Sequence, residues 1–170
     1  MSPEENLAYF QAIADQVPAA NQDANTRMSS RFSGDVSRTL RMTVHAPMPA
    51  GPPHDIPFGI FYPAVKGAPP AYATGNLARS MVRTPASAGL VSRAMVGNTA
   101  VYANVQEEGA TLFPNSAYLH WVNHRGSYFM RSVTVTEHPY FRRTLRFDIA
   151  NGSLTEAAMK GFAERMTLLA

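Results

Sequence analysis

Thr99-Ala100-Val101-Tyr102-Ala103-Asn104-Val105-Gln106-Glu107-Glu108-Gly109 is the stretch on which the reading of the fold turns. β-Branched and aromatic residues recur from Thr99 to Gln106, so the stretch reads as a strand. Glu107 and Glu108 then point to opposite sides if the strand continues. Gly97-Asn98, just before it, is a two-residue hairpin signal, and Gly89 to Val96 reads as the strand leading into that turn. Met81 to Arg83 is a further short strand, set off by Pro85-Ala86-Ser87-Ala88. Downstream, Ala117 to Val135 reads as an added hairpin turning at Asn123-His124-Arg125-Gly126.

Helical signals flank this β region. Ser2-Pro3-Glu4-Glu5 is a capping box with proline at the first helical position, which opens a helix from Pro3 to about Gln16. Leu7, Phe10, Ile13, Ala14 and Val17 form its apolar face, and Pro18 is the expected stop. A second helix is expected from about Ala20 to Val44, with Met28, Phe32, Val36, Leu40 and Val44 stepping by four. Arg27, Arg31, Arg38 and Arg41 fall on its opposite side. Gly34 weakens that helix by about 1 kcal/mol relative to alanine. Between 140 and 150 the residues leave two readings open: Phe141, Leu145 and Ile149 step as a helix, while Leu145, Phe147 and Ile149 alternate as a strand. Asn151-Gly152 ends the segment. Ser153-Leu154-Thr155-Glu156 is a second capping box, opening a helix to about Leu168. The class is α+β: N-terminal helices, a central mainly antiparallel sheet with an added hairpin, and a C-terminal helix.

With 170 residues and 45% hydrophobic content, one core and one domain are expected over the whole chain. The absence of cysteine removes disulfides, thiolate metal sites and a cysteine nucleophile. The N-terminus is acidic where a signal peptide is basic, and no apolar run approaches the roughly 20 residues that span a bilayer. Synthesis in the cytoplasm without a membrane partner is the expectation. Net charge is +3, yet 13 of the 15 basic residues are arginine, a bias that suits carboxylate or phosphate pairing. Pro47 to Pro70 holds eight prolines, which cannot donate ladder hydrogen bonds and bar regular helix, marking a long arm or loop. Its uncharged Ile56 to Val65 stretch carries Phe58, Phe61 and Tyr62, aromatics expected to dock on another subunit.

Catalytic and metal-binding patterns are weak. His120 and His124 lie four apart, but in a strand-and-turn context and without the glutamate of a zinc-protease helix. The serines lack a nucleophile elbow, and no glycine-rich phosphate loop occurs. Neither an enzyme, a cofactor nor a metal is expected. Trp121, with Tyr118, Tyr128 and Phe129, suits either base stacking or cross-strand aromatic pairing in a hairpin. The arginine face suits phosphate or carboxylate partners, with Asp23, Asp35, Glu107 and Glu108 as the candidate carboxylates.

Three blocks then stand in a telling order: Thr74-Gly75-Asn76-Leu77-Ala78-Arg79-Ser80, Tyr102-Ala103-Asn104-Val105-Gln106-Glu107-Glu108-Gly109, and His138-Pro139-Tyr140-Phe141-Arg142. With Ala46-Pro47 ahead of them, they resemble the neck or tail-completion proteins of long-tailed bacteriophages. That family usually reads Ala-Pro-x-x-Thr-Gly-x-Leu-x-x-Ser, then Tyr-Ala-x-x-x-Glu-x-Gly, then Pro-Phe followed by a helix. About half the chain is covered, with residues 48–73 and 110–137 as inserted arms. Gln106, Glu108, Ala110 and the intervening Tyr140 depart from the pattern. The resemblance implies structural roles for Thr74, Gly75, Leu77, Ser80, Tyr102, Ala103, Glu107, Gly109, Pro139 and Phe141, and a helix after Pro139. It implies a virion protein in a ring, expected to be hexameric, at the head-tail junction. The partners would be head-closure or connector proteins and a tail terminator or tail tube, with genomic DNA passing without sequence readout. A tail terminator, a non-virion nucleic-acid-binding module and a small hydrolase are the alternatives. Inter-subunit candidates are Arg27, Arg31, Arg38, Arg41, Phe58, Phe61, Tyr62 and Trp121.

Overall fold

A computed structural model describes residues 2–42, 54–56, 59–61, 70, 75–123 and 126–167. The class is α+β. In chain order the elements are α1 (Pro3–Met42), β1 (His54–Ile56), β2 (Gly59–Phe61), α2 (Asn76–Arg79), β3 (Met81–Arg83), β4 (Val96–Asn98) and α3 (Ala103–Glu108). There follow β5 (Ala110–Leu112), β6 (Leu119–Asn123), β7 (Gly126–Met130), β8 (Val133–Val135), α4 (Phe141–Ala150) and α5 (Ser153–Thr167). Among the described residues no helix is long and apolar enough to cross a membrane.

The two expected N-terminal helices are one, of 40 residues, with Pro18 inside it. Proline there forfeits a single bond, to the carbonyl of Ala14. Ala14 is exposed, so water can take that bond and the helix runs on. The first capping box forms as expected, Glu5 N–H donating to Ser2 Oγ at 3.2 Å and Ser2 N–H to Glu5 Oε2 at 2.5 Å. The second does not. Ser153 is already helical, its hydroxyl donates to the Asp148 carbonyl, and Gly152 (φ 75°) takes the capping position by accepting Glu156 N–H at 2.9 Å.

Strands pair only as separate two-stranded ladders among the described residues, β1 with β2, β3 with β4, β5 with β8 and β6 with β7. The expected continuous sheet is interrupted because Ala103–Glu108, expected to continue a strand, is helical, and because most of Gly89 to Val96 is irregular. Gly97-Asn98 belongs to β4 and is no hairpin turn. The added hairpin is present but shorter than expected, with Leu119 opposite Met130 and Asn123 opposite Gly126, because Val133–Val135 pairs with β5 instead. The β5–β8 ladder is antiparallel, Thr111 lying opposite Thr134 with their hydroxyls 3.2 Å apart.

Two compact units emerge. One comprises Met1–Asp35, Val82–Gly97 and Leu145–Ala170. In it, amide side chains of α1 take the carbonyls that a β partner would have taken. Asn21 Nδ2 donates to Gly89 and Leu90, and Gln22 Nε2 to Ala86 at 3.0 Å. The loop is cinched further by Thr84 N–H to Met95 O and Ser87 N–H to Arg93 O. With these groups satisfied by α1 and by its own turns, the 84–95 segment needs no ladder. In the same unit α5 meets α1 at Gly161, where an added Cβ would lie 2.7 Å from the Asp23 carbonyl oxygen and 2.9 Å from Ala24 Cα. The other unit, Val36–Met81 with Asn98–Thr144, buries Val36, Leu40, Ala78, Ala103 and Tyr140.

Candidate functional site

The second and third sequence blocks meet at Glu107. Its residue is 8% exposed, and its carboxylate faces the first turn of α4. Oε2 accepts the backbone N–H of Tyr140 and of Phe141, each at 2.9 Å, and Oε1 accepts that of Arg142 at 2.8 Å. Backbone N–H groups at a helix start have no intrahelical acceptor, and the positive end of the helix dipole favours an anion there. Glu107 is thus a remote cap, supplied from α3 across 33 residues of chain. Arg142 closes the arrangement. Its Nε donates to Glu107 Oε1 at 3.2 Å, its Nη2 to the Glu107 carbonyl at 3.0 Å, and its guanidinium lies 3.5 Å from Glu108 and 3.9 Å from Glu137.

Gly109 explains the last position of the second block. Its φ is +70°, and a Cβ would lie 2.9 Å from Glu137 N and 3.0 Å from Val135 O. Only glycine lets the chain leave α3 this close to the end of β8, where His138 N–H donates to Gln106 O at 2.7 Å. Tyr140 is 2% exposed, and its ring meets Phe141 edge-on at 6.4 Å. Burial, the Glu107 charge and Tyr102 push its phenol up to about 12, so the hydroxyl stays protonated across the physiological range. Thr144, buried beside it, donates to the Tyr140 carbonyl at 2.7 Å and lies 3.2 Å from Thr39 of α1.

The first block joins the second. Gly75 is buried with φ 73°, as a turn into α2 requires. Asn76 Nδ2 donates to Tyr102 Oη at 3.1 Å, Asn98 Nδ2 to the Leu77 carbonyl at 2.7 Å, and the Ser80 carbonyl accepts Thr99 N–H at 2.9 Å. Thr74 lies outside the described residues.

The arginine face resolves differently from one position to the next. Arg27 pairs with Glu164, and Arg31 Nε with Asp35 Oδ2 at 2.6 Å. The hydrogen bond and charge of Asp35 hold the Arg31 guanidinium above its ordinary value; Asp148 and Glu156 add to this and desolvation opposes it. Arg38 and Arg41 are exposed. Of the candidate carboxylates Asp35 is a partner, whereas Glu107 and Glu108 serve Arg142, because the helical turn at 103–108 aims them at α4. Phe61 lies in β2 and Trp121 in β6, in register with Tyr128; Phe58, Tyr62 and His124 lie outside the described residues. His120 stacks on Phe129, ring centroids 4.5 Å apart at 8°. Among the described residues no group of three or more His, Asp or Glu side chains is placed to hold a metal ion. A groove of about 390 Å³ is lined by Ala24, Ala158, Met159, Phe162 and Ala163, none of them an acid, base or nucleophile.

Arg142, Tyr140 and Thr144 belong to the cluster as well, beyond the residues expected from the sequence. Their adjacency to Pro139 and Phe141 in the third block was the available signal. Comparison with protein-family models, with curated proteins and with solved structures finds no match to the chain.

Proposed function

We propose that this chain is a structural virion protein of a long-tailed bacteriophage, forming a ring at the head-tail junction that joins head-closure proteins to the tail and leaves a lumen for DNA. One observation carries the reading beyond the spacing of the motifs. The three blocks that carry the resemblance are physically joined, the first to the second through Asn76 and Tyr102, the second to the third through Glu107 and the start of α4. Blocks aligned by chance have no reason to be hydrogen-bonded each to the next. Their residues cap, turn and pack, as expected of a scaffold. Adjacent Leu90 and Val91 stand 80% and 71% exposed, apolar surface that an assembly would cover. Carboxylates already occupy Arg27 and Arg31, which favours DNA passage over a tight grip on phosphate.

The test is a lysate experiment. With the chain removed, DNA-filled heads and separate tails should accumulate; with it restored, the chain should co-sediment with joined particles. Complete infectious particles formed without it would overturn the reading. A nucleic-acid-binding module would instead bind duplex DNA, weakening by orders of magnitude between roughly 50 and 200 mM salt.

A further inference from the structure

We propose that the N-terminal arm of α1 in one copy docks on the exposed face of α4 in a second copy, an acidic apolar helix against a basic apolar one. The contact names the subunit interface of the proposed ring and rests on that reading for its closure.

Every residue from Ser2 to Ala12 is exposed. Leu7 and Phe10 are 70% and 66% exposed, and with Ala14 they share one side of the helix at three- and four-residue spacing. The first 26 residues hold Glu4, Glu5, Asp15 and Asp23 and neither lysine nor arginine. The rest of the chain is therefore strongly basic. On α4 the pattern is inverted in charge: Arg143 and Arg146 share one side of the helix with Phe147, 67% exposed, while the helix's one carboxylate, Asp148, is 2% exposed; Arg142 is already held by Glu107, Glu108 and Glu137. Phosphate recognition would not need the exposed apolar side chain; an acidic amphipathic helix matches both features.

The occupant is a second copy because the two faces cannot cover each other within one chain. Helix α1 is continuous from Pro3 to Met42, so its first turns do not fold back, and Phe10 and Phe147 are both exposed in the same molecule. The apolar groove on α5 is the rival acceptor, but α5 balances Glu156 and Glu164 against Lys160 and Arg165 and offers an acidic arm no charge preference. Since the two faces differ, the contact is head-to-tail, and such contacts close into rings when the rotation allows. The 15 residues of Pro3 to Val17 span about 22 Å. A single helix pair of that length sits at the small end of specific interfaces, below about 1,200 Å². One contact is therefore weak, and closure makes it persist.

Sedimentation of the full chain tests this. The wild type should gain mass with concentration between about 10 μM and 1 mM, the range of a weak contact. Phe10→Asp and Phe147→Asp should each stay monomeric with an unchanged circular-dichroism melt, both positions being in water already. Mixed, the two variants should form a one-to-one dimer, because one intact arm meets one intact α4 face. Arg146→Glu should weaken association roughly tenfold. A wild type monomeric throughout, a mixture that stays monomeric, association abolished by Met159→Asp in place of Phe147→Asp, or duplex-DNA binding lost in Arg146→Glu with self-association untouched would each overturn it. Association through these faces in a chain absent from particles would keep the interface and sink the neck reading. Rings in particles that tolerate both aspartates would do the reverse.

Discussion

Removing the Glu107 carboxylate should unfasten α4. Three backbone N–H groups and the Arg142 side chain share it, and a hydrogen bond to a charged acceptor is worth about 1.5–3 kcal/mol when its partner is left bare. The sum is not the answer, because the N–H groups of Phe141 and Arg142 are only part-buried and water can replace the acceptor there; only the Tyr140 N–H is buried. One full penalty and two partial ones give about 3 kcal/mol for Glu107→Ala, within the range for breaking a buried charged contact. For a domain of this size, that lowers the melting temperature by roughly 6–12 °C. Glu107→Gln keeps one acceptor oxygen but not the charge, and should cost about half as much. Urea unfolding gives the free energy and hydrogen exchange the location: amides 140 to 142 should lose protection first. If Glu107→Ala stays within about 0.5 kcal/mol of wild type, as a neutral surface change would, with those amides still protected, the cap is not what holds the helix start.

Tyr140 should make stability fall at high pH. Its folded pKa, pushed up to about 12, exceeds the unfolded value of about 10, so the contribution is complete below pH 10 and is lost as pH rises toward 12. It amounts to roughly 2–3 kcal/mol, and Tyr140→Phe should remove that part of the decline in alkaline urea titrations. Gly109→Ala forces a side chain to φ +70° and a Cβ to 2.9 Å from Glu137 N; thermal denaturation should show a loss of about 2–4 kcal/mol. Gly161→Val meets the α1 backbone at under 3 Å and should cost about 2–3 kcal/mol by urea midpoint, despite glycine's poor helix propensity.

Local signals in the sequence that stayed local in the structure were legible. The Ser2/Glu5 capping box, the stop at Asn151-Gly152 and the 119–130 hairpin each depend on neighbours within a few residues, whereas residues 140–150 by themselves fit helix and strand alike. What failed was decided at a distance. Val101, Tyr102 and Val105 favour a strand, yet residues 103–108 turn helical because Ala103 is buried and Glu107 must reach α4. Gly89 to Val96 has strand composition, but the amides of Asn21 and Gln22 take its carbonyls. Pro18 signals a stop, but the bond it forfeits opens onto water. At the candidate site, the blocks and the need for Gly75 and Gly109 were readable. The cap was not, since a glutamate 33 residues from the helix it serves leaves no local trace.

Electron cryomicroscopy of the joined particles tests the central claim most directly. The density at the head-tail junction should show a closed ring of copies of this chain between the head-closure proteins and the tail, with DNA in its lumen. Each copy's α3 to α4 connection should be traceable through Glu107. Particles whose junction is fully accounted for by other chains, or a density that places this chain as isolated copies away from the DNA path, would contradict it.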